Sequence, residues 1–218
     1  MHPAPFANAN FGPAPGMLVT ASELNRYTFM NGWHWYSAQM TIPDEGWKIH
    51  FSGDAGNAAL IYRKLLPTLR RHNLAHKFLP ALAAVQGQVG GQLGKILCVY
   101  PQNLAEAFQA VGWMDQAYNQ HEIVIGSGAP AQAIPASPVI PIDIHVGNTC
   151  CYTRYGGFNN DYVMDQNGAL QAFPPANGAF PAWIHNPWGA YPALPALPVP
   201  WPAHPRDARR RGPVRRGG

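Results

Sequence analysis

Charge is scarce in this chain. Only 12% of its 218 residues are Asp, Glu, Lys or Arg, against about 25% in an average soluble protein. The formal net charge of +4 would suggest an acidic partner if it were spread over the molecule, but six arginines fall between Arg206 and Arg216, opposed there only by Asp207. Without that segment the remainder is close to neutral, so the basic pI of about 9.1 describes one end of the sequence and not a basic surface.

Cysteine is also rare. Cys98, Cys150 and Cys151 are odd in number and two of them are adjacent, which excludes the even, spaced framework of a disulfide-stapled secreted domain and implies reduced thiols. The opening MHPAPFANANFGPAPG lacks a basic stretch followed by an apolar one, and no apolar run reaches the roughly 18 residues of a membrane span. The expectation is a cytoplasmic protein without membrane contact, with secretion into a host cell by a signal-independent route as the alternative. No G-x-S-x-G is present for a serine hydrolase. Cys150 and Cys151 beside His145 are poor partners for one tetrahedral zinc ion, and no C-x-x-C spacing accompanies them.

Proline (23) and glycine (22) are plentiful, so long irregular segments are expected. Residues 1–25 are poor in large apolar groups and read as a flexible arm. Tyr27, Phe29, Trp33, Trp35 and Tyr36 follow at spacings that fit neither helix nor strand cleanly, and are expected to pack on the core or to form a partner-binding surface. WKIHFS then alternates as a strand, with Trp47, Ile49 and Phe51 on one face and Lys48, His50 and Ser52 on the other. Gly53 and Asp54 punctuate, and NAALIYRKLLPTLRRHN reads as a helix with Leu60, Ile61, Leu65 and Leu69 on its apolar stripe. HKFLP is a short strand, AVQGQVGGQLG a glycine-rich loop, and KILCVYP a buried strand. NLAEAFQAVGWMDQAYNQ is a second amphipathic helix with Asn103 as its cap. EIVIG and IPIDIHV are further strands, CCYTRYGGF ends in a glycine pair that forces a turn, and DYVMDQNGALQAF has the Asn-Gly signature of a hairpin. These elements predict an α+β fold: a single domain over 26–173 with a mixed, largely antiparallel sheet flanked by helices. Eleven prolines between Pro174 and Pro213 make 174–218 a disordered Pro/Arg-rich tail.

WKIHFS, HKFLP, GQLGKILCVYP and YTRYGGF, in that order over roughly 46–161, resemble the motifs of the phosphothreonine lyase family, and more closely those of the lyase domain at the N-terminus of class III and class IV lanthionine synthetases. The resemblance implies removal of phosphate from phosphoserine or phosphothreonine by β-elimination, leaving dehydroalanine or dehydrobutyrine, with no metal or cofactor. Such chemistry needs a base at Cα–H, support for the developing enolate, and cations for the departing phosphate. By the same resemblance Lys77 is the general base and His50 the general acid. Lys48 holds phosphate or the peptide carbonyl, Arg154 clamps phosphate with its planar guanidinium, and Lys95 and Tyr155 make further contacts. The base must be neutral to act, and Lys48, His50 and Arg154 would disfavour its charged form. The partners implied are a phosphorylated peptide or protein and a separate kinase upstream, since neither the kinase nor the cyclase domain of the synthetases is visible here. The sequence departs from the pattern in lacking an arginine before Lys95; Arg70 or Arg71 could replace it. Two other classes remain: a noncatalytic phosphopeptide- or leader-peptide-binding relative, and a nucleic-acid-binding protein acting through RDARRRGPVRR.

Overall fold

The computed structural model describes residues 13–36, 42–119, 138–147, 149 and 151–191. The expected strand at 122–126, Cys150 and the Arg-rich segment lie outside the described residues. After a short helix α1 (Ala21–Leu24), two strands β1 (Thr28–Met30) and β2 (Trp33–Tyr36) form a hairpin. Its turn is Asn31-Gly32, both at positive φ (52° and 80°), the pair that a two-residue hairpin turn favours. The aromatic cluster that suggested no regular element is therefore a hairpin, and the Asn-Gly step was its signal.

Strand β3 (Glu45–Ser52) leads into α2 (Ala58–Arg71), which β4 (His76–Phe78), α3 (Leu82–Gln86), β5 (Lys95–Val99) and α4 (Leu104–Asn119) follow. The chain then passes through β6 (Ile144–His145), β7 (Cys151–Gly157), β8 (Tyr162–Met164) and β9 (Leu170–Ala172). Seven strands make one sheet in the order β1-β2-β4-β5-β3-β7-β6, and β8 and β9 pair apart from it. All these pairs are antiparallel, so the α+β expectation holds, with a sheet that is antiparallel throughout its described strands.

One face of the sheet carries the main core. Trp47, Ile49 and Phe51 of β3 meet Ile61, Leu65 and Leu69 of α2 and Phe108, Val111 and Met114 of α4, spacings that keep each helix's apolar side on the sheet. Tyr62, also fully buried on α2, places its hydroxyl 2.8 Å from the Leu79 carbonyl oxygen and 3.0 Å from that of Ile96, which satisfies the one polar atom it brings inside. The start of α4 is capped by Asn103, which accepts from the backbone N–H of Glu106 (2.9 Å), whereas Asp54 accepts from the N–H of Gly56 (2.8 Å) in the turn that precedes α2, whose N-cap residue Asn57 makes no side-chain cap hydrogen bond.

The folded part extends beyond the boundaries near 25 and 173 that composition suggested. Val19 is buried, and the Leu18 N–H donates to the Pro80 carbonyl (2.8 Å). Trp188 is only 3% exposed, with its ring stacked 4.6 Å from Phe108 and edge-on to Trp47. Proline content misled here: segments with few backbone donors can still be held by buried rings.

Candidate active site

The face of the sheet away from α2 and α4 carries the residues singled out for chemistry. Antiparallel pairing lines up Trp35, Lys77, Cys98, His50, Tyr152 and His145 on one rung across β2, β4, β5, β3, β7 and β6. Because side chains on facing residues of a ladder project the same way, this rung brings the Lys77 and His50 motifs together although 27 residues separate them in sequence. One step along, Lys48 pairs directly with Arg154.

Lys95 reaches the same face through an irregularity. The register of β3 with β5 shifts between Phe51 and Ser52, so Ser52 faces Lys95 where regular pairing would offer Ile96. The extra residue lets Ile96 and Leu97 both enter the core, at 0% exposure, and turns Lys95 to the side of Cys98, as a β-bulge does. Lys48, His50, Lys77, Lys95, Cys98 and Arg154 line one cleft of about 100 Å³, with Gln92, Asn160 and Asp161 also on its walls. Of the four lysines in the chain, three are here.

Several expectations change. Tyr155 is not in the cleft: alternation along β7 sends it to the opposite face from Arg154, where its ring meets Trp47 and its hydroxyl donates to Glu45 (3.2 Å). Arg70 is no substitute clamp, because it pairs with Glu23 and donates to the Tyr27 hydroxyl (2.9 Å) elsewhere. The glycine pair does not make a turn; β7 runs through Gly156 and Gly157, both of which line the cleft. A Cβ on Gly156 would stand at ordinary contact distance, 3.8 Å, from Lys48 Nζ, whereas one on Gly157 would collide with the backbone oxygens of Asn160 and Tyr162, so the close approach of the chain after β7 requires glycine at 157.

The structure adds a residue that sequence reasoning passed over. Asp143, its side chain fully buried, contacts His50 Nδ1 with Oδ2 and accepts from Lys95 Nζ with Oδ1 at 3.1 Å. Burial works to raise its pKa, but the charges and hydrogen bonds of His50 and Lys95 outweigh that and hold it below the usual carboxylate value. An ionised Asp143 fixes the Nδ1–H tautomer of His50 and turns the other ring nitrogen away from it. The neighbouring Ile142 has φ 72°, a region that β-branched residues rarely occupy. In sequence Asp143 was only the polar position of IPIDIHV.

Lys77 Nζ sits over two indoles and a phenol, 4.6 Å from the ring centre of Trp33, 4.7 Å from Trp35 and 5.6 Å from Tyr100. Burial lowers the pKa of Lys48 to about 8, assisted by Lys77, Arg154 and Lys95 and opposed by Cys98. Burial raises the Cys98 thiol, but the charge and hydrogen bond of His50, with Lys77 and Lys95, bring it below its ordinary value. Arg154 Nη2 donates to the Pro174 carbonyl (3.2 Å), which anchors the guanidinium at the wall.

An α+β domain with a cation-lined cleft on the face of its sheet opposite α2 and α4 is the class of protein that the geometry defines. Residues 20–211 match the RamC N-terminal domain, so the chain belongs to that family, which is lanthipeptide-synthetase-like. Among curated proteins, it is 28% identical over 141 residues to a protein named "Probable SapB synthase" from Streptomyces coelicolor (strain ATCC BAA-471 / A3(2) / M145), a stretch that covers 62% of this chain and 13% of that protein. The chain thus spans a small part of the relative's length. The match falls on the lanthionine-synthetase side of the resemblance. No helix among the described residues is long and apolar enough to cross a membrane.

Proposed function

We propose that this domain eliminates phosphate from phosphoserine or phosphothreonine in a precursor peptide, as one step in making a peptide product with dehydrated residues. The observation that carries this reading is the convergence of Lys48, Lys77, Lys95, Arg154 and His50 on one cleft, where the carboxylates among the described residues are Asp143, buried and bonded to two of them, and the exposed Asp161 on the wall. Such a surplus of positive charge is costly without an anion, and a phosphate dianion offsets it.

In the reaction, the Lys77 amine takes the Cα proton and the Cα–H electron pair forms the Cα–Cβ double bond. The Cβ–O bond breaks and its electrons leave on phosphate, to which His50 gives a proton. Lys48 and Arg154, facing each other across β3 and β7, bind the phosphoryl group and the carbonyl whose oxygen gains charge. Asp143 holds His50 in orientation for donation. A kinase supplies the phosphorylated substrate.

The test is mass spectrometry of phosphoserine and phosphothreonine peptides after incubation with the protein and with Lys77→Ala. Elimination removes about 98 Da and hydrolysis about 80 Da, because hydrolysis returns the hydroxyl while elimination removes it as part of phosphoric acid. A Lys77-dependent loss of about 98 Da supports the reading. Peptides that are bound but unchanged would make the domain a noncatalytic phosphopeptide-binding relative, a role that Arg154 as the cleft's one arginine lining also allows.

A further inference from the structure

Beyond Lys77 the site face of the sheet continues onto the β1–β2 hairpin and becomes apolar. Lys77 pairs with Trp35 and Trp35 with Thr28, while Trp33 pairs with Met30. These five residues therefore share the face of the cleft, whereas Phe29, His34 and Tyr36 lie on the reverse, where His34 meets Phe29 and Phe78 and Tyr36 stacks on His76. The aromatic surface is continuous with the cleft wall: Trp35 stacks on Tyr100 with ring centres 5.1 Å apart, and Tyr100 meets Phe158 edge-on at 5.2 Å. Ala75, Cys98, Tyr100 and Phe158 form a second buried apolar cluster, with Trp33, Trp35 and Ile42 against it, and Trp33 also packs against the main core.

This shelf is only partly covered. Met30 is 48% exposed, every residue of β1 is exposed, and Trp33 and Trp35 are half-buried. β1 also ends the described sheet, a position that can accept an added strand. A methionine and two indoles left beside a polar cleft are suited to a ligand that is anionic at one point and apolar at the next.

We infer that Trp33, Trp35 and Met30 form a subsite for a large apolar side chain located one or two residues from the phosphorylated residue of the substrate peptide. This deepens the function proposed above and rests on it for the identity of the anion. The spacing fits: both indoles lie within 4.7 Å of Lys77 Nζ, and an extended peptide advances about 3.3 Å per residue. A phosphoresidue in the cleft thus puts its near neighbours over the hairpin. The shelf selects the sequence around the phosphate, and the cleft recognises the phosphate itself.

The experiment uses phosphothreonine peptides that are polyglycine-serine except for one Phe, placed in turn at each of the two positions on either side of the phosphoresidue. Affinity is read by fluorescence anisotropy, and turnover by loss of about 98 Da. For the full chain, a Phe at one of these positions tightens binding about tenfold over the all-Gly/Ser peptide, the worth of a part-buried aromatic side chain. In Met30→Ser and in Trp33→Ser the Phe-to-Gly ratio drops below about threefold; because the ratio is taken within each protein, a general loss of affinity cancels. A wild-type ratio near one at all four positions, a ratio unchanged in both variants, or no binding of any peptide overturns the subsite. Selective binding without mass loss retains the subsite and overturns the elimination chemistry instead.

Discussion

Replacing Lys48 with Met should make the protein more stable at neutral pH. Lys48 lies in the cleft with Lys77, Arg154 and Lys95 nearby, and burial, with their repulsion, lowers its pKa from 10.5 to about 8. At pH 7 the folded protein still carries this charge, in a place that disfavours it. At about 1.4 kcal/mol for each tenfold change in proton affinity, the depression corresponds to about 3 kcal/mol at most. Allowing for water in the open cleft reduces this to about 2 kcal/mol. Since the folded pKa lies below the unfolded one, the penalty is complete below about pH 8. It fades between about 8 and 10.5, where the unfolded chain holds a proton that the folded protein has released. Met has a similar length and no charge. Urea unfolding of wild type and Lys48→Met at pH 7 should show the variant about 2 kcal/mol more stable, which is about 4–8 °C in Tm for a chain of this size. At pH 10 the gap should shrink below about 1 kcal/mol. A variant less stable at pH 7, or a gap that does not change with pH, would refute the account. The same substitution removes a cation from the cleft and should weaken phosphopeptide binding, a stability cost kept for function.

Asp143→Asn leaves His50 and Lys95 without their buried carboxylate, and should cost about 3 kcal/mol at pH 7 and slow elimination about 100-fold, measured on the phosphothreonine peptides. Because the folded Asp143 pKa is lowered, its contribution is present above the ordinary carboxylate range and is lost as pH falls through the depressed value. The wild-type advantage in urea should therefore persist from pH 7 to pH 5 and close on further acidification. Trp188→Ala should destabilise the protein by about 3 kcal/mol, which urea unfolding detects; no effect would mean that the segment after residue 173 is not part of the fold.

Local periodicity made much of the site legible. Lys48 and His50 share a face because strand side chains alternate, and WKIHFS alternates without interruption; the stripe of α2 and the cap at Asn103 follow from residue type and spacing in the same way. The order of the four motifs pointed to a lyase-like domain, and the family match agrees with its lanthionine-synthetase part. Glycine and proline were the weaker guides. They marked Gly156-Gly157 as a turn although β7 passes through it, and they assigned 174–191 to a tail although Trp188 is in the core.

By itself, then, the sequence determined where the elements of the central sheet and its helices fall and that Lys48 and His50 share one face of their strand, because those properties depend on neighbours a few positions away. Only the tertiary structure decided that Lys77 and His50 stand on one rung with Cys98 between them, that a bulge opposite Phe51 and Ser52 turns Lys95 toward them, and that Asp143, 93 residues from His50, holds both His50 and Lys95. It also decided that Tyr155 is excluded and that Trp33 and Trp35 enclose Lys77. Strand register and bulges are set by the packing of the whole sheet against its helices, and no local spacing contains that information.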